Sequence, residues 1–142
     1  MKKLSIIAVL LACCISLTPS LLTAQERQVF SETMIDYNKY QNFYWNWEGD
    51  NSVVPKGWIL VVYTATLNYF GETYGRADLS GRDSNSAAVW RTQVVYVESQ
   101  KTVHLTFPEG LKLEEGGFVE AGFVSEGSGS IFVSLNGKLK RR

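Results

Sequence analysis

The chain has 142 residues, with fourteen basic and fourteen acidic side chains, one histidine and two cysteines. This charge balance argues against a general binder of nucleic acid or of another polyanion, because such proteins carry an excess of positive charge. The length is that of one domain of ordinary size.

The first 24 residues have the pattern of a secretory signal peptide. Lys2 and Lys3 form a positive n-region, and residues 4–17 are an apolar run that is shorter than the ~20 residues of a membrane span. We predict cleavage after Ala24, which leaves residues 25–142 as a single exported domain with a net charge of −2. The predicted location is therefore secreted, periplasmic or at the cell surface.

An alternative concerns the cysteines. The stretch Leu10-Leu11-Ala12-Cys13 resembles the lipobox of bacterial lipoproteins, in which the cysteine becomes the acylated first residue. Membrane attachment is expected only if Cys13 is lipidated; otherwise Cys13 and Cys14 are apolar residues of the signal peptide. In both cases the domain is disulfide-free, so its core alone must hold it together.

An aromatic segment lies near the start of the domain. After a short predicted strand at residues 28–32, residues 35–47 include six aromatic side chains. Phe43, Trp45 and Trp47 alternate as one face of a strand would, so we predict a loop followed by a strand here, and then a turn at residues 48–52.

The most regular pattern covers residues 58–70, WILVVYTATLNYF. Apolar residues occupy both alternating faces at first and only one face afterwards, which predicts a strand that begins inside a layered core and runs out towards a sheet edge. Pro55 marks the entry to this strand, since proline has no N–H to donate to a ladder.

Further strands are predicted after it. Residues 76–79 are expected to pair back as a hairpin arm, and residues 87–98 to form one strand with Trp90, Val94 and Tyr96 facing inward.

The C-terminal third continues this pattern. Residues 102–107 alternate cleanly, residues 118–124 and 131–135 are two more strands, and Asn136-Gly137 is a turn signal or a strand end. These intervals predict an all-β fold, an antiparallel β-sandwich of about six to eight strands or a small barrel. The Pro-Lys-Gly entry to the long strand and the later Phe-Pro-Glu-Gly turn resemble jelly-roll modules, so a jelly-roll-like sandwich is the prediction.

Catalytic chemistry finds little support in this sequence. His104 is the only histidine and lies on the polar side of its predicted strand, so we expect an exposed surface residue rather than a general base. A serine triad would need this histidine, and a structural zinc site would need more histidines or cysteines than the domain has.

Carboxylates and glycines give no clear site either. The pairs Glu114 with Glu115 and Asp78 with Asp83 do not select an acid and a base by their spacing. No cofactor is predicted, although the loops at residues 48–52 and 78–86 offer oxygen ligands of the kind that calcium takes. No glycine loop is followed by a predicted helix that would bind a nucleotide phosphate.

The first functional hypothesis is an exported, non-catalytic binding module for a carbohydrate or a protein partner at the cell surface. The alternative is a structural or assembly subunit of a surface structure, and a small secreted hydrolase ranks third. An exposed row of flat aromatic rings is a good platform for a sugar. The candidate ligand-binding residues are Trp45, Trp47, Tyr40 and Tyr44, and core packing of the two tryptophans is the competing interpretation.

Overall fold

A computed structural model describes residues 26–72, 74–93, 95–125 and 127–142. The predicted signal peptide, its cleavage site and the Cys13 lipobox lie outside these residues. Among the residues that are described, no helix is long and apolar enough to cross a membrane.

The described chain is built from β-strands, and the predicted all-β antiparallel sandwich is confirmed. All strand pairs are antiparallel. The strands are β1 (Glu26–Asp36), β2 (Lys39–Asn42), β3 (Trp58–Gly71), β4 (Tyr74–Arg82), β5 (Ala88–Arg91), β6 (Val95–Glu98), β7 (Thr102–Leu113), β8 (Phe118–Ser125) and β9 (Gly129–Arg141).

Two sheets form the layers. Sheet A has the order β1-β9-β3-β7, and sheet B has the order β2-β8-β4, with β5 and β6 both paired to the free side of β4. Taken together, β5 and β6 act as one interrupted edge strand, so each layer has four strands in the manner of a jelly roll. Most consecutive strands cross between the layers, as β3 and β4 do, whereas β4, β5 and β6 all lie in sheet B.

Inward-facing side chains of both sheets make a single apolar core. Residues at alternate positions of β9, β3 and β8 are almost completely buried, as the period of a strand requires. The largest fully buried side chains are Trp45, Tyr69, Phe43, Phe123, Ile35, Leu60, Leu67, Leu79, Leu113, Ile131, Leu135 and Leu139. Because residues 25–142 contain no cysteine, this core stabilises the domain without disulfides.

The central strand β3 changes its inward face at Tyr63. Leu60 and Val62 face the core before this point and Ala65 and Leu67 after it, because the pairing with both neighbours shifts register between Val62 and Thr64. The predicted apolar character of both faces in the first half is confirmed. The predicted run towards a sheet edge is wrong, because β3 lies between β9 and β7 and pairs with both, and its polar side chains face the outer surface of the sheet.

Two predictions for the middle of the chain are corrected. Residues 76–79 do not pair back on β3, because β4 crosses to sheet B and pairs with β8. Residues 87–98 form two short strands rather than one, and the break after Arg91 resets the alternation. Trp90 packs against the core as predicted, whereas Tyr96 points outward and is 64% exposed. Val94 lies outside the described residues.

The ends of the domain also differ from the pattern. The first strand is confirmed and extends to Asp36, whereas the aromatic residues that follow β2 are irregular rather than a strand. Asn136 and Gly137 lie inside β9 instead of ending it. Gly137 is required there, since a Cβ would lie 2.5 Å from the main-chain oxygen of Val61.

Candidate functional site at an open sheet edge

Every open sheet must deal with unpaired main-chain groups at its edges, because these groups can pair with another chain. Sheet B has short edges: β2, β5 and β6 each contain four residues. Sheet A has long ones, since β1 contains 11 residues and β7 contains 12. The edges of sheet A are therefore the surfaces that need closer inspection.

The edge of β1 is partly covered by the chain that follows β2. The main-chain N–H of Phe30 donates to Asn46 Oδ1 over 2.8 Å, and the main-chain N–H of Asn46 donates back to Phe30 O over 3.2 Å. Beside this pair, the Ser31 hydroxyl donates to the Tyr44 main-chain oxygen. These contacts occupy the Phe30 position in the middle of β1, whereas no hydrogen bond within the described ranges reaches the edge-facing N–H groups of Glu32 and Met34 further along.

The edge of β7 is open. The main-chain oxygen of Lys101 accepts from Tyr69 N–H in β3. Since main-chain groups alternate in direction along a strand, those of Thr102, His104 and Thr106 point away from β3. Over the described ranges, no hydrogen bond reaches these edge-facing N–H groups.

A groove runs along the inner side of this edge, between β7 and the interrupted strand β5/β6. Its volume is about 490 Å³, and its lining is mostly apolar. Leu105, Phe107 and Leu111 form one wall and Val95 the other, with polar groups of Arg91, Thr92 and Gln93 at the rim. The core of the sandwich is thus incompletely covered along the edge whose main chain is free.

Trp90 ties the two edge strands together beside this groove. Its indole Nε1 donates to the main-chain oxygen of Lys112 in β7 over 3.1 Å, and its ring lies over Gly81 in β4. A Cβ at Gly81 would lie 2.2 Å from the indole ring, so glycine is what allows the ring to lie flat there. This hydrogen bond links the two sheets beside the groove.

The fold places the four residues of the predicted aromatic platform in different environments. Trp45 is only 1% exposed and its ring stacks on that of Trp47, with centroids 5.5 Å apart and planes 4° apart. Trp47 is partly exposed and packs against the core. Trp45 thus supplies core packing, which was the competing interpretation, and offers no free ring face to a ligand.

The two tyrosines of that prediction lie at the surface. Tyr40 is 63% exposed and Tyr44 is 58% exposed. The Tyr40 ring lies over Gly122 on the outer face of sheet B, where a Cβ would lie 2.6 Å from the ring. Asp78 is next to the same glycine and accepts from Arg91 Nε over 2.7 Å, which raises the pKa of the guanidinium.

The other residues considered for chemistry have ordinary structural surroundings. His104 is exposed as predicted, and its Nδ1 lies 3.1 Å from the Thr66 hydroxyl. In both candidate calcium loops a carboxylate binds nearby main-chain N–H groups: Asp50 binds that of Ser52, and Asp83 binds those of Asn85 and Ala87. Within the described ranges, no cluster of three or more acidic, histidine or cysteine side chains is suited to hold a metal.

Sequence patterns missed the open edge because alternation does not tell an edge strand from a central one. The clean pattern of residues 102–107 located the strand and its solvent face correctly. One signal was present: Pro108 and Gly110 end this regular stretch, and such breaks are tolerated at edges. Gly110 indeed has a φ of 72° in the irregular part of β7.

Fold and site together describe a jelly-roll sandwich with an open, apolar-lined sheet edge at β7. No known protein family matches this chain, and no curated protein matches its sequence. Among solved structures, it is similar to the subunit of Bacillus endospore appendages, disulfide-linked pili, with a TM-score of 0.40, 10% identity, and coverage of 83% of this chain and 92% of that one.

A chain of the infectious bursal disease virus particle is also similar, with a TM-score of 0.41 and 8% identity, over 84% of this chain but only 36% of the viral one. At these scores, neither likeness carries information about what this protein binds or assembles with.

Proposed function

We propose that this protein is an exported, non-catalytic building block that associates with another chain by adding a strand to the β7 edge of sheet A. The observation that carries the proposal is the free main chain of Thr102, His104 and Thr106 beside an apolar groove. Strand addition of this kind obtains affinity from main-chain hydrogen bonds and specificity from pockets for alternate side chains.

The contrast between the edges supports this proposal. Natural proteins protect sheet edges with short strands, charges, bulges or covering segments. Here β2, β5 and β6 are short, and Asn46 covers the middle of β1. The β7 strand combines length, a regular run of unpaired groups and an adjacent apolar groove. An added strand would bury this apolar surface and would also form hydrogen bonds with the unpaired main-chain groups of β7.

Amide exchange tests this proposal directly on residues 25–142. In the assembled protein, the N–H groups of Thr102, His104 and Thr106 should exchange far more slowly than in the dilute monomer. Assembled material in which these amides exchange at the monomer rate would overturn the proposal.

A matched pair of proline variants tests the same edge. Thr106→Pro removes an edge-facing N–H from β7, and Glu32→Pro removes the equivalent one from β1. Light scattering should show the loss of association for the first variant and the parental mass for the second. Circular dichroism and thermal melting should show that both remain folded, and equal association by both variants would contradict the proposal.

Carbohydrate binding is a second candidate function, which a separate observation favours. The exposed Tyr40 ring lies over a glycine and beside the Asp78–Arg91 ion pair, so an apolar ring face and charged hydrogen-bonding groups share one surface. Sugars are commonly recognised by such a combination of a stacking ring and directed polar groups.

A panel of neutral and acidic oligosaccharides tests this second candidate. Tyr40→Ala should abolish binding with an unchanged melting temperature, whereas Tyr37→Ala, which alters another exposed tyrosine, should retain it. Binding that survives Tyr40→Ala, or no binding across the panel, would reject this candidate without affecting the edge proposal.

A further inference from the structure

We infer that the strand received by β7 is β7 of a second copy, paired antiparallel about a two-fold axis at His104. This inference rests on the proposed edge association and specifies its partner. A strand that pairs with the same strand of a second copy about a two-fold axis must do so antiparallel. It must also offer hydrogen-bonding groups on both sides of that axis. The regular stretch of β7 before its irregular part meets this condition.

The positions of the unpaired main-chain N–H and C=O groups determine the register of this pairing. With the axis at His104, Thr102 of one copy is opposite Thr106 of the other, and His104 is opposite its equivalent. All the free N–H and C=O groups of the stretch are then paired, in about six hydrogen bonds. Moving the axis to Leu105 would place Pro108, which has no N–H, opposite Thr102.

Side chains on the inner face also match in this register. Val103 of one copy is opposite Leu105 of the other, and both residues are half-buried and apolar. Cross-strand apolar pairs of this type stabilise antiparallel sheets. The grooves of the two copies then lie on the same side of one continuous eight-stranded sheet, and each contributes to covering the apolar wall of the other.

Charges at the ends of the stretch are complementary. Lys101 lies just before it and Glu109 just after it, and both side chains are exposed. In this register Lys101 of one copy is opposite Phe107 of the other, two residues before Glu109, so opposite charges are neighbours at both ends of the pair. A parallel arrangement would place like charges together and is disfavoured.

Cysteine cross-linking tests the register, since residues 25–142 contain no other cysteine. His104→Cys should form an intermolecular disulfide at least about tenfold faster than Val103→Cys or Leu105→Cys alone, because only residue 104 lies opposite itself, at a Cα separation of about 5.5 Å. A mixture of the Val103→Cys and Leu105→Cys proteins should cross-link between unlike chains. Self-linking at 103 or 105, or none at 104, overturns the inference.

Charge reversal provides an independent test that leaves the main chain intact. Lys101→Glu and Glu109→Lys should each weaken self-association by about tenfold, and the double variant should restore it. Lys56→Glu, a reversal at an exposed residue of another loop, should have no effect.

Different experimental outcomes would overturn the edge proposal and the two-fold register. If Thr106→Pro abolishes assembly but residue 104 does not cross-link, the edge proposal stands and the two-fold register is wrong. A chain that remains monomeric also overturns this inference. Assembly that persists with Thr106→Pro and without amide protection overturns the edge proposal itself.

Discussion

Asn46 binds both main-chain groups of Phe30, with its side-chain oxygen accepting from one and its main-chain N–H donating to the other. A residue from the irregular segment after β2 thereby acts as a substitute for an added strand on β1. The other edge of the same sheet has no such cover among the described residues. Together with the apolar groove beside β7, this difference makes β7 the expected point of association.

Removing this cover should have a measurable effect. Asn46→Ala leaves the Phe30 N–H without its acceptor, so we expect a loss of about 1 kcal/mol in the free energy of unfolding and a new tendency to associate through β1. Urea unfolding and light scattering are the measurements. Asn42→Ala, at an exposed position of β2, serves as the control and should change neither. Parental behaviour of Asn46→Ala would show that the cap is dispensable.

The two stacked tryptophans should differ in their contribution to stability. Trp45→Ala should lower the free energy of unfolding by about 3 to 5 kcal/mol, because it empties a buried site, and the partly exposed Trp47→Ala should cost less. Tyr44→Ala should leave stability nearly unchanged. Denaturant unfolding of the three variants checks this order, and a stable Trp45→Ala protein would contradict the placement of that ring in the core.

Tyr69 carries a buried hydroxyl for which the described chain offers no hydrogen-bond partner. Burying an unpaired polar group costs free energy, so Tyr69→Phe should unfold at the same or a higher denaturant concentration, with a gain of up to about 1 kcal/mol. A loss of more than about 1 kcal/mol would reveal a partner for the hydroxyl. Gly71→Ala should be harmful, because its Cβ would lie 1.9 Å from that oxygen.

Acid should weaken the junction of β1 and β9. Hydrogen bonds from Lys138 and Lys140 hold the pKa of Glu26 below its ordinary value of 4.5. A carboxyl with a lowered pKa in the folded state stabilises the fold fully above its ordinary pKa, and this contribution is lost as the pH falls through the lowered value. Thermal melting of Glu26→Gln should show a shallower decline below pH 4.5 than the parent, and identical profiles would exclude this contribution.

The start of the exported protein remains a prediction that mass spectrometry can check. The positive n-region and the apolar run favour a mature chain that begins at Gln25 without lipid. A diacylated product that begins at Cys13 would contradict this and would place the domain on a membrane.

The sequence by itself determined the strands and their solvent faces wherever alternation was unbroken. Residues 102–107 show this best, because each side chain in a strand faces the opposite way from the one before it, whatever the strand pairs with. The same rule correctly separated Tyr44 from Phe43 and Trp45, although this segment is not a regular strand.

Only the tertiary structure decided which strands lie at an edge, where β3 changes face and which aromatic rings remain at the surface. The face change at Tyr63 arises because β3 has one extra residue there relative to β9: Val62 and Thr64 pair with the consecutive residues Gly137 and Asn136, which lie far away in the chain. Tyr96 is exposed because the strand predicted around it breaks after Arg91. Such outcomes depend on long-range pairing, and the local period of one strand does not contain that information.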